Sequence, residues 1–259
     1  MLRAVQHRLM LNMASAWTPW ALAFVLNGVL IACAHRLPLL TSSGWVHAGV
    51  LGTVLWGCLG WRGWLTVVLY LALGSLVTKV GFQRKQALGL AEARGGRRSP
   101  ANVWGSAAVG ACLALLIGSG LEPRALLIAG FAASFAAKLG DTFGSELGKR
   151  YGRTTVLITT LRRVPPGTEG AVSVEGTLAS FAGSGLMMLV MVAVGLLPTG
   201  PVAWLVAFVG FVATLLESVL GALAQERTPW LSNELVNGLQ TAVAALLAMG
   251  LCLQLQLLP

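Results

Sequence analysis

Long, uninterrupted apolar runs constrain the fold of this sequence more than any other feature. Of its 259 residues, 56% are hydrophobic and only 10% are charged, whereas a soluble domain carries about 25% charged residues. The runs are continuous rather than alternating in polarity, which is typical of transmembrane helices and not of barrel strands. The sequence therefore predicts an all-α, polytopic membrane protein.

We predict about eight (seven to eight) transmembrane helices within a single domain, residues 1–259. Several spans are shorter than the roughly 20 residues that a crossing helix needs. Residues 45–59 and 63–78 are joined only by Gly60-Trp61-Arg62, so they are predicted to form a tight helical hairpin. A basic, partly apolar segment at residues 1–15 is expected to lie on the membrane surface. The predicted spans are residues 17–34, 45–59, 63–78, 102–117, 123–137, 174–197, 202–224 and 235–258.

Basic residues are concentrated in two of the three polar segments that connect the spans. Six of the 18 lysines and arginines lie in residues 79–100 and six in residues 138–173, and residues 225–233 form the third polar segment. Two spans separate each segment from the next, so all three are predicted to lie on the same face. The positive-inside rule places that face in the cytoplasm, beneath a plasma or thylakoid-type membrane.

The net charge of +9 restricts the partners that the chain can have. Basic clusters beside a membrane attract anionic lipid headgroups, and they also suit an anionic substrate. The sequence has no extended soluble basic domain of the kind that binds nucleic acid. We therefore expect membrane lipids and an anionic ligand as partners, and no nucleic acid.

Asp141, the only aspartate in the chain, lies on a predicted helix with a polar stripe. At about 100° per residue, the stripe residues share one arc of roughly 140°; they are Lys138, Asp141, Thr142, Ser145, Glu146 and Lys149. Glycines at positions 140, 144 and 148 lie beside the arc and suit close helix packing. Two acids near bases suit a divalent cation that holds phosphates. A charged juxtamembrane helix end, with glycines that only pack, explains the same spacing.

Other polar residues suit phosphate binding, each with a structural alternative. Bases at 79, 84, 85, 97 and 98 provide point charges and bidentate forks for phosphate, or they hold anionic lipid. The Pro165–Gly170 turn is able to present backbone N–H groups to an anion. Glu217, followed by Ser218, is an intramembrane acid and hence a functional candidate, unless it reaches interfacial water. Asn233 and Asn237 either bind a ligand, or cap a helix and hydrogen-bond to a neighbour.

Five motifs occur in order along the chain: KVGFQRKQALGLAEARGGRRSPANV at 79–103, DTFGSELG at 141–148, VPPGTEGAVSVEGTLAS at 164–180, ESVLGALAQE at 217–226 and SNELVNG at 232–238. Through them the sequence resembles the integral membrane family that includes the chloroplast phytyl-phosphate kinase of the vitamin E (tocopherol) pathway. That family is similar to the CTP-dependent phytol and polyprenol kinases. The resemblance covers nearly the whole chain. The sequence departs from the family pattern at Glu217, where the family usually has Asp followed by Ser.

The resemblance implies phosphoryl transfer from a nucleoside triphosphate, CTP in preference to ATP, to phytyl phosphate or a similar isoprenyl monophosphate. The product is then the diphosphate. The resemblance implies Mg²⁺ held by Asp141, Glu146 and Glu217, with Lys149 as a further catalytic residue. The residues that it implies for substrate and nucleotide binding are Lys79, Arg84, Lys85, Arg97, Arg98, Asn102, Ser145, Pro166, Gly167, Thr168, Gly170, Ser173, Ser218, Asn233 and Asn237.

Three alternative functions use the same polar residues. A kinase of the free prenol and a cytidylyltransferase that forms a CDP-lipid both need phosphate-binding bases and acids at the membrane surface. A transporter of an anionic or lipid-linked solute belongs to another class, and it predicts polar residues across the whole membrane and an inverted repeat. The polar motifs of this chain instead gather at one surface, which favours an enzyme.

Overall fold

The computed structural model describes residues 2–225, 228 and 230–258, with side chains described from Thr18 onward. Residues 2–15 form the beginning of a long first helix that continues into the first predicted span. The expectation that their basic side chains rest on the membrane surface lies outside the described side chains. The polar segment at 225–233 also lies partly outside the described residues.

The described part of the chain forms eight α-helices and one pair of very short strands. Strands β1 (Val156–Leu157) and β2 (Ala171–Val172) are antiparallel, with Val156 opposite Val172. Six helices, α2 and α4–α8, are long and apolar enough to cross a membrane, and Thr18–Ala34 is a shorter apolar segment. The prediction of an α-helical polytopic membrane protein is confirmed. The helices are α1 (Leu2–Ala34), α2 (Ser42–Lys79), α3 (Phe82–Ala87), α4 (Pro100–Gly118), α5 (Arg124–Tyr151), α6 (Val174–Ala193), α7 (Pro201–Ala224) and α8 (Asn233–Gln254).

Helix α2 is a hairpin of two arms, residues 42–59 and 61–79. Gly60 breaks the helix with φ 68° and ψ −166°, a conformation open essentially to glycine alone. Arg98 contacts both arms: its carbonyl accepts from Thr41 N (3.0 Å), and its guanidinium donates to Tyr70 Oη (2.8 Å). In a straight helix, Thr41 and Tyr70 would be about 40 Å apart. The predicted hairpin is therefore confirmed.

Four helices begin with a hydroxyl cap, and all four begin at the same end of the bundle. Thr41, Ser99, Ser173 and Ser232 accept hydrogen bonds from backbone N–H groups in the first turns of α2, α4, α6 and α8. Such caps satisfy donors that have no partner within the helix. Pro100 also suits the first turn of α4, where no N–H is needed. These caps fix where the polar segments end and the apolar helices begin.

Helix α5 lies at the centre of the bundle and packs against α2, α4, α6, α7 and α8. All residues from 129 to 140 are buried. Alanine, glycine and serine occupy much of this stretch, which allows neighbouring helices to approach closely from several sides. The polar stripe at the C-terminal end of α5 is consequently held inside the protein, surrounded by the ends of other helices.

The predicted glycine seam of α5 packs against small residues of α6. Gly140, Gly144 and Gly148 face Ser184, Ser180 and Gly176 in antiparallel order. A Cβ atom on Gly148 would lie 3.3 Å from Gly176 Cα, so the two backbones are nearly in contact. The glycines thus pack as predicted, and the adjacent arc of α5 remains free to carry the polar stripe.

Candidate functional site

A polar cavity of about 410 Å³ lies where the three polar segments meet. It is lined by residues from the 79–100 segment, from α4 to α8 and from the 152–173 segment. This lining brings residues of the first two segments, and Asn233 at the end of the third, together at one end of the bundle. All but three of the predicted site residues line the cavity: Asp141, Glu146, Lys149, Glu217, Arg97, Arg98, Asn102, Ser145, Pro166, Gly167, Thr168, Gly170, Ser173, Ser218, Asn233 and Asn237.

The remaining three predicted bases lie outside the cavity lining. Lys79 Nζ donates to Gly95 O (2.8 Å) and lies over the Phe82 ring. The Arg84 residue is exposed on α3. Lys85 is fully buried and donates to Thr78 O (2.9 Å). The structure therefore divides the predicted phosphate-binding bases, and only Arg97 and Arg98 of this group reach the cavity.

Lys138 joins Asp141 to helix α8. Its ammonium donates to the Asp141 carboxylate and to Asn237 Oδ1 (2.8 Å). The Lys138 side chain is 6% exposed and the Asp141 side chain 16%, so the pair is largely removed from solvent. Its ion pair with Asp141 follows the i, i+3 spacing on one helix face. The sequence placed Lys138 on the polar stripe, although not among the predicted binding residues, and the shared arc was the signal for it.

Glu146 forms a buried ion pair with Lys85 from the short helix α3. Both side chains are almost completely excluded from solvent, with relative exposures of 2% and 1%. The approach of α3 depends on Gly81, whose φ of 60° is left-handed and where an added Cβ would clash with the Arg150 side chain. The ion pair connects the first polar segment to α5. It was not predicted because Lys85 and Glu146 are distant in sequence.

Glu217 lies on α7 at the cavity wall. Its carboxyl group interacts electrostatically with Asp141, Lys138 and Glu169. Within the described residues, no group of three or more His, Cys, Asp or Glu side chains is close enough to hold a metal ion. The structure therefore does not assemble Asp141, Glu146 and Glu217 as a three-carboxylate cluster.

The Pro165–Gly170 turn is held beside Glu217 by two glycines. Gly170 has φ of 73°, and an added Cβ would lie 2.5 Å from Ser218 O on α7. On the other side of the contact, a Cβ on Gly221 would lie 3.0 Å from Gly170 N. Thr168 directs both its N–H (3.3 Å) and its hydroxyl (2.8 Å) to Pro165 O. These donors stabilise the turn itself.

Asn102 connects the first polar segment to α8. Its side-chain oxygen accepts from Arg94 Nη2 (3.0 Å) and from Ser99 N (3.0 Å), and its amide donates to Glu234 Oε1 (3.1 Å). Arg94 lines the cavity as well and was missed from sequence because its contacts depend on its left-handed φ of 56°. Ser232 caps α8 and Asn237 bonds to Lys138, so the neighbour contact expected for Asn237 is confirmed.

The chain matches the model of the integral membrane protein family DUF92 over residues 25–245. It is 50% identical to the uncharacterized membrane protein sll0875 of Synechocystis, over 90% of this chain and 91% of that protein. It is 40% identical to protein VTE6, chloroplastic, of Arabidopsis thaliana, over 88% of this chain and 68% of that protein. With the uncharacterized membrane protein MJ0933 of Methanocaldococcus jannaschii it shares 31% identity, over 85% and 90%. No solved structure matches the chain. The chain therefore belongs to the DUF92 family of integral membrane proteins.

Proposed function

We propose that the protein is a membrane-embedded, nucleotide-dependent kinase that converts phytyl phosphate or a similar isoprenyl monophosphate to the diphosphate. The observation that carries this proposal is the polar cavity, which is lined by both carboxylates and bases at one end of an apolar helix bundle. The motif resemblance to a phytyl-phosphate kinase family supports the same chemistry. A volume of about 410 Å³ is in the usual range for small-molecule sites.

Bases at the cavity wall supply the charge that two phosphate-bearing substrates need. Arg97 and Arg98 come from the first polar segment, and Lys149 comes from α5, where its Nζ lies 3.6 Å from Glu92 Oε1 of that same segment. Arginine forks match phosphate oxygens in pairs, whereas lysine acts as a point charge. These three residues bind the phosphates in our proposal, and Lys138 holds Asp141 in place beside them.

Asp141 and Glu217 are the carboxylates that fit a magnesium ion. Mg²⁺ in phosphoryl-transfer sites is bound by one or two carboxylates and by substrate phosphates, and not by a protein cage. Asp141 and Glu217 line the cavity from α5 and α7. Glu146 also lines it, but its side chain is only 2% exposed and is paired with Lys85, whereas the Asp141 side chain is 16% exposed. When bound, the ion neutralises charge on the phosphates. We therefore assign Asp141 and Glu217, and not Glu146, to this ion.

The chain has little covalent chemistry to perform in this reaction. A phosphate oxygen of the lipid attacks the γ-phosphorus of the nucleotide, the new P–O bond forms, and the bond to the β–γ bridging oxygen breaks. The attacking oxygen is already ionised, so no general base is required. Positioning and charge neutralisation supply most of the catalysis of phosphoryl transfer, and both are tasks for which rigid, buried ion pairs are suited.

Product analysis tests this proposal against the related enzymes. Purified full-length protein in nanodiscs is supplied with Mg²⁺, with CTP or ATP, and with phytyl phosphate or phytol, and the lipids are analysed by mass spectrometry. We expect phytyl diphosphate from phytyl phosphate, faster with CTP, and no product after chelation of Mg²⁺. A monophosphate formed only from phytol, or a CDP-lipid, would assign one of the alternative activities instead.

A further inference from the structure

A second, apolar cavity of about 70 Å³ lies between α1, both arms of α2 and α4. Most of its lining is aliphatic or aromatic, and it includes Trp45, Ala48 and Leu71. The cavity is not separate from the polar one: Arg98, Asn102 and Ser106 line both. A polar compartment and an apolar compartment therefore meet at Arg98, which is the arrangement that an amphiphilic lipid phosphate requires.

Arg98 is held rigidly at the junction of the two cavities. Its backbone is fixed on both sides, because its N–H donates to Leu39 O (3.0 Å) and its carbonyl accepts from Thr41 N (3.0 Å). Its guanidinium lies over the Tyr70 ring, 5.3 Å from the centroid. A Cβ on Gly74 would lie 2.5 Å from Arg98 Nη2, so the absence of a side chain there makes room for the cation.

The apolar cavity offers few polar partners away from this junction. Asn27 is engaged, since its oxygen accepts from Trp64 Nε1 (3.0 Å) and its amide donates to Ala23 O (2.8 Å). The Trp45 indole N–H is buried without a hydrogen-bond partner among the described residues. Trp45 is one helical turn from Thr41, and so it lies at the Arg98 end. The rest of the cavity suits hydrocarbon.

We propose that the apolar cavity binds the phosphate-proximal part of the isoprenoid chain, with Arg98 contacting the lipid phosphate at the junction. This inference rests on the proposed function and names the path of the lipid within that site. The cavity is much smaller than the polar one, so it holds only the first part of a long chain. The remainder of the chain extends into the bilayer.

Photo-crosslinking tests the location of the chain without requiring turnover. Full-length protein in phosphatidylcholine nanodiscs is irradiated with an isoprenyl phosphate that carries a diazirine in its first isoprene unit. We expect labelled peptides from the α2 arms and α4 at the apolar cavity, with competition by phytyl phosphate. Labelling confined to the outer surface, or equal labelling of the cavity by a diazirine phosphatidylcholine, would overturn the proposal.

A matched pair of substitutions on one arm of α2 provides the second test. Ala48→Phe fills the apolar cavity, whereas Val46→Phe adds the same ring at a position that is 64% exposed. For Ala48→Phe we expect kcat/KM with phytyl phosphate to fall about tenfold, the effect of about two buried methylenes. Turnover of a five-carbon prenyl phosphate should fall to a similar degree, because its single isoprene unit is the part of the chain that the cavity holds. Both activities of Val46→Phe should be nearly unchanged.

The two tests separate failure of the inference from failure of the proposed function. Unchanged turnover of both the long and the five-carbon substrate by Ala48→Phe, with labelling outside the cavity, would overturn the chain site and leave the kinase activity intact. Competed labelling of the cavity by a protein that forms no diphosphate would retain the chain site and reject the kinase. If Ala48→Phe does not fold, the labelling pattern of the wild-type protein decides the matter.

Discussion

At the scale of single residues, the site is defined by which acid is paired with which lysine. The sequence predicted the acids at 141 and 146 on one helix face, and the structure gives each of them a buried lysine partner. The two pairs differ in their surroundings. Lys138 and Asp141 connect to Asn237 inside the cavity, whereas Lys85 and Glu146 connect the first polar segment to α5. We therefore expect a catalytic role for Asp141 and a structural role for the pair at Glu146.

Removal of Lys85 tests the structural role of that pair. Lys85→Met leaves the Glu146 carboxylate buried without its cation, and loss of one partner of a buried ion pair costs about 3–5 kcal/mol. We expect a clear loss of unfolding free energy in detergent, partly restored in Lys85→Met/Glu146→Gln. Arg84→Met, at the exposed neighbouring position, is the control. Equal stability of the two single variants would contradict a structural ion pair.

Conservative substitution of the cavity carboxylates tests their catalytic role. Asp141→Asn and Glu217→Gln keep the shape of each side chain and remove its charge, so transition-state stabilisation falls while the fold is retained. We expect turnover to fall by about 10²-fold or more in each variant. Glu122→Gln, which changes an acid at the exposed start of α5, should keep its activity. Near-normal turnover by folded Asp141→Asn would remove Asp141 from the mechanism.

At the scale of elements, α5 and its neighbours were the most predictable part of the fold. The glycines at 140, 144 and 148 and the polar arc beside them follow from helical periodicity alone, and the structure confirms both. The hairpin of α2 followed from two short apolar runs and a glycine. By contrast, the burial of Lys85 and the contact of Arg94 with Asn102 depend on left-handed residues and on distant segments, which no local pattern reveals.

The α5–α6 seam makes a prediction about helix packing. A Cβ on Gly144 would lie 3.2 Å from Gly176 O and against Ser180 Oγ, so Gly144→Leu forces the two helices apart. We expect a loss of about 1–3 kcal/mol, typical of overpacking, measured as unfolding free energy in detergent. Gly185→Leu on α6 is the matched control, because no atom lies within 4 Å of the added Cβ. A similar loss in both variants would show that the seam is not tightly packed.

At the scale of the whole molecule, the three polar segments converge at one end of an apolar bundle. The parity of the spans predicted a shared face for all three, and the cavity brings together residues of the first two segments and Asn233 of the third. Which predicted bases reach the cavity did not follow from sequence, because the loop path between α2 and α4 decides it. From the number of charges alone, we predicted that five bases form one phosphate-binding surface: Lys79, Arg84, Lys85, Arg97 and Arg98. In the structure only Arg97 and Arg98 line the cavity.

The orientation of the bundle is a further prediction at this scale. Because the cavity end carries the two basic clusters, the positive-inside rule places it in the cytoplasm. In a variant whose four native cysteines are replaced by serine, Arg84→Cys should react with a membrane-impermeant maleimide only after the cells are permeabilised. Glu122→Cys, at the opposite end, should react in intact cells. The reverse pattern would place the cavity outside.

In the proposed reaction, the polar cavity is where the terminal phosphate of a nucleotide is transferred to a lipid phosphate. The most direct test follows radioactive label from CTP into phytyl lipid, with wild-type protein and Asp141→Asn in nanodiscs. We expect that label in the γ-position enters the lipid, that label in the α-position does not, and that Asp141→Asn loses the transfer. Label entering from the α-position would show a cytidylyltransferase, and no transfer from either position by folded wild-type protein would contradict the proposed kinase reaction.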